Sequence, residues 1–245
     1  MKSLNQYIQE RLIINKDYRN VKVAMPKTFY ELRKIIEDRY IKLGPGTEQN
    51  PIDFNDIDVS NMDSFYSNQG YRNQGIFEET KFKYIDISGW DVSKIVSMRH
   101  MFYKCKELKS AGDISNWDVS NVNNMSSMFN ECKELESVGD ISSWDVSNVN
   151  NMAFMFAGCE SFNKDLSGWD VSNVNTMSSM FDSCKSFNQD ISGWNVSGVT
   201  NMQYMFDRCE SFNQDLSNWD VSNVKFKASA FRYCPIKEEY KPKFK

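Results

Sequence analysis

DISNWDVSNVNNMSSMFNECKEL, residues Asp113–Leu135, is one copy of a unit that the chain spells six times. Its tryptophan recurs as Trp90, Trp117, Trp144, Trp169, Trp194 and Trp219, at spacings of 27, 27, 25, 25 and 25, and the chain has no others. All six cysteines, Cys105, Cys132, Cys159, Cys184, Cys209 and Cys234, follow a tryptophan by fifteen residues. Ten of the thirteen methionines lie eight and eleven residues after the first five tryptophans. Three rare residue types agreeing on one period is the signature of a stacked repeat array.

Within the unit two apolar spacings appear. Ile114, Trp117 and Val119 are spaced as L-x-x-L-x-L, which predicts a short strand with one face turned inward. Val122, Met125, Met128, Phe129 and Cys132 form a stripe that predicts a helix of two to three turns. One strand and one short helix per unit makes the strands parallel. The expected class is therefore α/β, a leucine-rich-repeat-like solenoid of short parallel strands and short helices, with a small N-terminal helical element. The longer units differ only between cysteine and strand, as in CKELKSAGD (Cys105–Asp113) against CESFNKD (Cys159–Asp165), so the two added residues fall in a loop on one side of the stack.

The ends of the array degenerate, as terminal repeats do. DFNDIDVS (Asp53–Ser60) keeps the motif with Ile57 in the place of tryptophan, and Lys227 and Ala230 replace the methionines of the last unit. The organisation read from this is an N-terminal helical element at 1–46, a linker and entry repeat at 47–84, the repeats proper at 85–234, and a C-terminal cap or tail at 235–245. In the first segment Ser3 is placed to cap a helix with Leu4, Tyr7, Ile8 and Leu12 on one face. VKVAM (Val21–Met25) reads as a strand. Thr28 and Glu31 form a capping-box pattern before a second helix that Gly44 ends. GPGTEQNP (Gly44–Pro51) reads as a linker. This segment is expected to be an attachment or addressing element, with capping of the first strand as the structural alternative; the two roles can coexist.

The charge pattern excludes some classes. Residues 1–50 hold ten Lys/Arg against six Asp/Glu, while residues 85–234 hold twelve against nineteen. An acidic body of this kind does not suit a phosphate backbone, so nucleic acid is not an expected partner. No run approaches eighteen apolar residues, so membrane insertion is not expected. The opening residues lack the apolar core of a secretory signal, which favours an intracellular or virion-associated site over classical secretion.

Units such as SFNQDISGWNVSGVTNMQYMF (Ser186–Phe206), with W-[DN]-V-S-x-V and M-x-x-M-F-x-x-C in these places, resemble BspA-like leucine-rich-repeat surface proteins. The resemblance covers residues 85–234 and, more weakly, 51–84. It implies a curved leucine-rich-repeat-like solenoid and a surface or adhesion role in bacteria and their phages. SLNQYIQERLIINKD (Ser3–Asp17) resembles a leader segment found on proteins of gut-bacterial phages.

Each repeated residue has a structural and a functional reading. Tryptophan in every copy, at a core-facing position, reads as packing rather than a sugar platform. The cysteines read as buried reduced thiols, since zinc would need clustered ligands and His100 is the chain's only histidine. The carboxylates form two columns, Asp86, Asp113, Asp140, Asp165, Asp190 and Asp215, and Asp91, Asp118, Asp145, Asp170 and Asp220 with Asn195 interrupting. Stacked about 4.8 Å apart, like charges repel by roughly 1 kcal/mol in water and more near a protein surface. Asx turns, in which each side chain accepts a backbone N–H, would offset this, and Asn195 can do the same uncharged. Bound calcium is the functional alternative. Function is then expected in columns that vary between units. Arg99, His100, Tyr103, Phe154, Tyr204 and Arg208 form the candidate partner surface, with His100, Phe154 and Tyr204 as an exposed aromatic line. No catalytic, metal or cofactor residues are assigned. The expected function is a non-enzymatic, adhesion-type protein-binding repeat with a host or virion protein as partner. The alternative is a carbohydrate-binding or glycan-active protein using the Asp, Asn and Trp ladders.

Overall fold

The structure, a computed structural model, describes residues 24–67 and 74–244. Around each tryptophan the chain does not extend into a strand. The Trp117 N–H returns to the Ile114 carbonyl at 3.2 Å and the Val122 N–H to the Val119 carbonyl at 2.9 Å, so the segment is one tight turn after another. The inward spacing nevertheless holds, because Ile114, Trp117, Val119 and Val122 are all buried.

The expected helix is also absent. From Met125 to Cys132 every second N–H closes a local turn: Met128 to the Met125 carbonyl, Asn130 to Ser127 and Cys132 to Phe129. The N–H groups between them cross to the next unit: Met125 to Asn151, Ser127 to Ala153, Phe129 to Met155 and Glu131 to Ala157, at 2.7–3.0 Å. Ser127 and Glu131 adopt positive φ, 56° and 60°. An α-helix would consume all of these donors within the segment. The Asn- and Ser-rich sequence has weak helix propensity. Surrendering the helix lets alternate donors tie neighbouring units together.

These bonds place successive units side by side in parallel. A column of bridges runs Ser64–Ser97–Asn124–Asn151–Thr176–Asn201–Phe226, seven residues past each tryptophan position. A second, Tyr84–Ser110–Ser137, joins only the early units and includes the longer loops. Through the centre runs one core. Trp117, Trp144, Trp169, Trp194 and Trp219 stack nearly parallel with 6.4–6.5 Å between ring centroids. Phe77, Phe102, Phe129, Phe156, Phe181, Phe206 and Phe231 make a second aromatic column at 5.2–5.9 Å.

The described helix α1 spans Phe29–Leu43; Thr28 Oγ1 accepts the Glu31 N–H, and the Gly44 N–H closes the helix on the Tyr40 carbonyl. Two short strands, β1 (Ile52–Asp53) and β4 (Ile85–Asp86), pair in parallel, while β2 (Tyr66–Ser67) and β3 (Gln74–Gly75) pair antiparallel. Leu32 and Ile36 of α1 join the core at its entry end, burial worth about 1.5–3 kcal/mol each. Arg39 forms a two-pronged bond to Asp56 and reaches the Asp53 carbonyl. Arg33 holds the Gly75 and Ile76 carbonyls at 3.0 and 3.1 Å. Of the two roles expected for the N-terminal segment, the described part therefore acts as a cap. Ala24 pairs in parallel with Ile57. The Ser3 cap, the Leu4, Tyr7, Ile8 and Leu12 face and the rest of VKVAM lie outside the described residues. At the exit, a 3-10 turn at Glu238–Tyr240 accepts the Leu216 N–H on the Tyr240 carbonyl. Among the described residues no helix is long and apolar enough to cross a membrane.

Candidate functional site

Most of the repeated residues are consumed by the stack. Every indole N–H donates to a carbonyl of the preceding unit, from Trp90 to Phe54 at 2.9 Å through Trp219 to Ile191 at 3.3 Å. Every thiol donates to a phenylalanine carbonyl of the preceding unit, five of them at 2.8–3.0 Å, as Cys159 does to Phe129, and Cys234 to Phe212 at 3.5 Å. All six cysteines are unpaired with one another, and burial pushes the Cys159, Cys184 and Cys209 thiols well up. Those three are placed as packing groups rather than nucleophiles.

Both Asp columns make Asx turns. Asp113, Asp140, Asp165, Asp190 and Asp215 accept the N–H of the serine two residues on at 2.8–3.1 Å. In the second column Asp91, Asp118 and Asp145 also accept the serine hydroxyl at 2.6 Å, and Asn195 makes both bonds in the same way. These hydrogen bonds, the serine hydroxyl first, hold Asp91, Asp140, Asp170, Asp190 and Asp215 below the ordinary carboxylate range. Among the described residues no three His, Cys, Asp or Glu side chains converge as a metal site.

What remains are the positions ten and fourteen residues past each tryptophan. His100, Ser127, Phe154, Ser179, Tyr204 and Ser229 form one column, and Lys104, Glu131, Gly158, Ser183, Arg208 and Tyr233 the other. All twelve have positive φ, and only Gly158 is a glycine. The left-handed conformation costs a non-glycine residue roughly 1 kcal/mol, offset here by the N–H bond each interior member gives the next unit. Side chains on these columns are free to differ, and several stand out in solvent. Phe154 is 42% exposed, Tyr204 38% and Tyr233 73%.

The six residues expected to form one surface divide into two groups with Phe154 between them. Near the entry end, the hairpin β2–β3 replaces the pair of residues that Arg99 and His100 are in their own unit. Its Tyr66 lies against both, with Arg99 over the ring at 4.9 Å and the His100 ring edge-on at 5.8 Å. Tyr103 stacks on His100 at 4.7 Å, and Glu78 Oε2 lies 3.7 Å from His100 Nδ1. The His100 side chain is only 17% exposed. The expected aromatic line is thus interrupted at its first member, because an inserted hairpin covers it.

Near the exit end the residues do converge. Asp207, almost wholly buried, is clamped by Arg232 through two bonds of 2.9 and 2.6 Å. Arg208 bridges Asp207 and Asp182 at 3.3 and 3.4 Å. A buried carboxylate is tolerable only when paired in this way. Burial, followed by the neighbouring Asp207, pushes the Asp182 carboxyl up despite its bond from the Ser183 hydroxyl. The Arg232 guanidinium lies over Tyr204 at 5.5 Å and Tyr233 at 5.3 Å. Arg232 and Tyr233 lie thirteen and fourteen residues past Trp219, so the same register, carried through the sixth tryptophan, is the signal in the sequence that marks them. A shallow cleft of about 320 Å³ among Glu79, Thr80, Lys81, Lys104, Lys106 and Glu107 holds mixed charge without a converging group.

The family model described as Mycoplasma protein of unknown function, DUF285, matches residues 71–177 and 137–239. Together these span more than two thirds of the chain, and the chain belongs to this family, which is associated with BspA-like repeat surface proteins. No curated protein and no solved structure matches.

Proposed function

We propose that this chain is a non-enzymatic, adhesion-type repeat protein of the BspA-like kind. On this reading residues 51–234 form a solenoid that presents its variable columns to a protein partner of a host cell or virion. One observation carries the reading. The residues repeated in every unit are engaged in turns, stacks and inter-unit bonds, whereas the left-handed columns vary and carry exposed Phe154, Tyr204, Tyr233 and Arg208. Exposed tyrosine and arginine around a buried, paired carboxylate is a composition found at interface centres. The glycan alternative loses its tryptophan ladder, because every indole is buried with its N–H satisfied. The test is capture from host-cell and particle extracts by the wild type and by Phe154→Ser/Tyr204→Ser/Tyr233→Ser, alongside a glycan panel. A protein retained by the wild type and lost by the variant, at equal melting temperature, supports the proposal. Equal capture by both, or glycan binding in its place, refutes it.

A further inference from the structure

Inside the stack each unit hands N–H groups to the next. In the unit of Trp169 they come from Met177, Ser179, Phe181 and Ser183, at 2.7–2.9 Å from their carbonyl acceptors. In the last unit the N–H groups of Ser229, Phe231 and Tyr233 stand in the same register and meet no acceptor among the described residues. The carbonyls between them point backward, since Ala228, Ala230 and Arg232 accept from Tyr204, Phe206 and Arg208. The exit end is therefore a row of donors with no acceptors interleaved.

The charge of this end has the same sense. Residues 225–245 hold seven Lys/Arg against two Glu, while residues 85–224 hold nine against nineteen. The Lys225 side chain is exposed and unpaired among the described residues. Two such ends cannot pair with each other, because both offer donors and positive charge. End-to-end stacking of two copies is blocked as well, because Arg33 of α1 already occupies the Gly75 and Ile76 carbonyls of the entry unit. Both Asp columns leave acceptor-rich surface on the chain, and the second is one such row. Asp118, Asp145 and Asp170 are exposed, and each spends Oδ1 on its Asx turn while Oδ2 makes no hydrogen bond among the described residues.

We propose that the basic exit end of one copy docks on the Asp-lined face of a second copy. The contact joins two different surfaces, so copies assemble into a ring or an open chain rather than a simple twofold pair. It uses the backbone N–H groups of Ser229 and Tyr233 rather than the side chains on which the partner-binding reading rests, and substitutions in the Asp column leave those side chains in place, so its failure is distinguishable from the failure of that reading.

Sedimentation velocity of the full chain tests it. Self-association is expected at about 0.05 M salt and its loss at about 0.5 M, since exposed charges are screened. Lys225→Glu/Lys227→Glu should weaken association by about tenfold or more. Asp118→Asn/Asp145→Asn/Asp170→Asn should do the same with an unchanged melting temperature, because Asn195 shows that the amide keeps the turn. That second variant decides the matter even if the lysine reversal harms folding. A chain that stays monomeric at low salt overturns the proposal, and so does association that survives the loss of the three carboxylates.

Discussion

Replacing Trp144 by alanine tests the stack at its centre. The indole lies between Trp117 and Trp169, 6.4 Å from each and within 5° of parallel, and its N–H donates to the Ile114 carbonyl at 3.1 Å. Truncating a buried aromatic side chain costs about 3–5 kcal/mol. The two ring pairs contribute about 0.5–1.5 kcal/mol each beyond burial. The Ile114 carbonyl keeps its bond from the Trp117 N–H, so no acceptor is orphaned and no further penalty applies. The estimate is therefore about 4–5 kcal/mol, at the upper end of the range. Trp219→Ala supplies the internal comparison. Its ring stacks on Trp194 alone among the tryptophans, so its loss should cost about 1 kcal/mol less. Urea unfolding followed by circular dichroism gives both values. A Trp144→Ala midpoint within error of wild type, accompanied by lost partner binding, would refute the packing argument and make tryptophan a recognition residue.

Asp145→Asn should shift stability by less than about 0.5 kcal/mol, whereas Asp145→Ala, which gives up the Ser147 N–H and hydroxyl bonds, should cost about 1 kcal/mol; equal melting temperatures for the two variants would show that the Asx turn is not what matters. The lowered carboxyls of Asp91, Asp140, Asp170, Asp190 and Asp215 give stability that is complete above the ordinary Asp value and lost as pH falls through their folded values. The raised carboxyl of Asp182 works in the opposite sense but is one group against five, so the melting temperature should hold from neutral pH to about 5 and then fall; a rise on acidification would contradict this. Burial protects Cys159, Cys184 and Cys209, so a thiol reagent should label half-buried Cys234 first and the others only on unfolding; rapid labelling of all six in the native protein would mean an open stack.

The sequence alone was enough to determine the repeat period and the residues of its interior. Trp and Cys each hold one register position and Met two, and a position filled by the same large or polarizable group in unit after unit announces that it faces its own copies. Asn195 standing for Asp was likewise enough to identify an amide-tolerant turn. The local conformation was not legible. The stripe Val122, Met125, Met128, Phe129, Cys132 marks buried positions but not which donors bond where, and spacing alone cannot separate a helix from a run of turns. That choice belongs to the tertiary structure, because the N–H groups that would close a helix find better use in carbonyls contributed by the neighbouring unit. The candidate surface depended on the same level. Nothing in the residue pattern around His100 shows that Tyr66, thirty-four residues earlier, lies against it. Nor does the sequence show that Arg232 reaches back twenty-five residues to a buried Asp207. Contacts between units are set by stacking, and stacking brings together residues one period apart that the chain itself keeps separate.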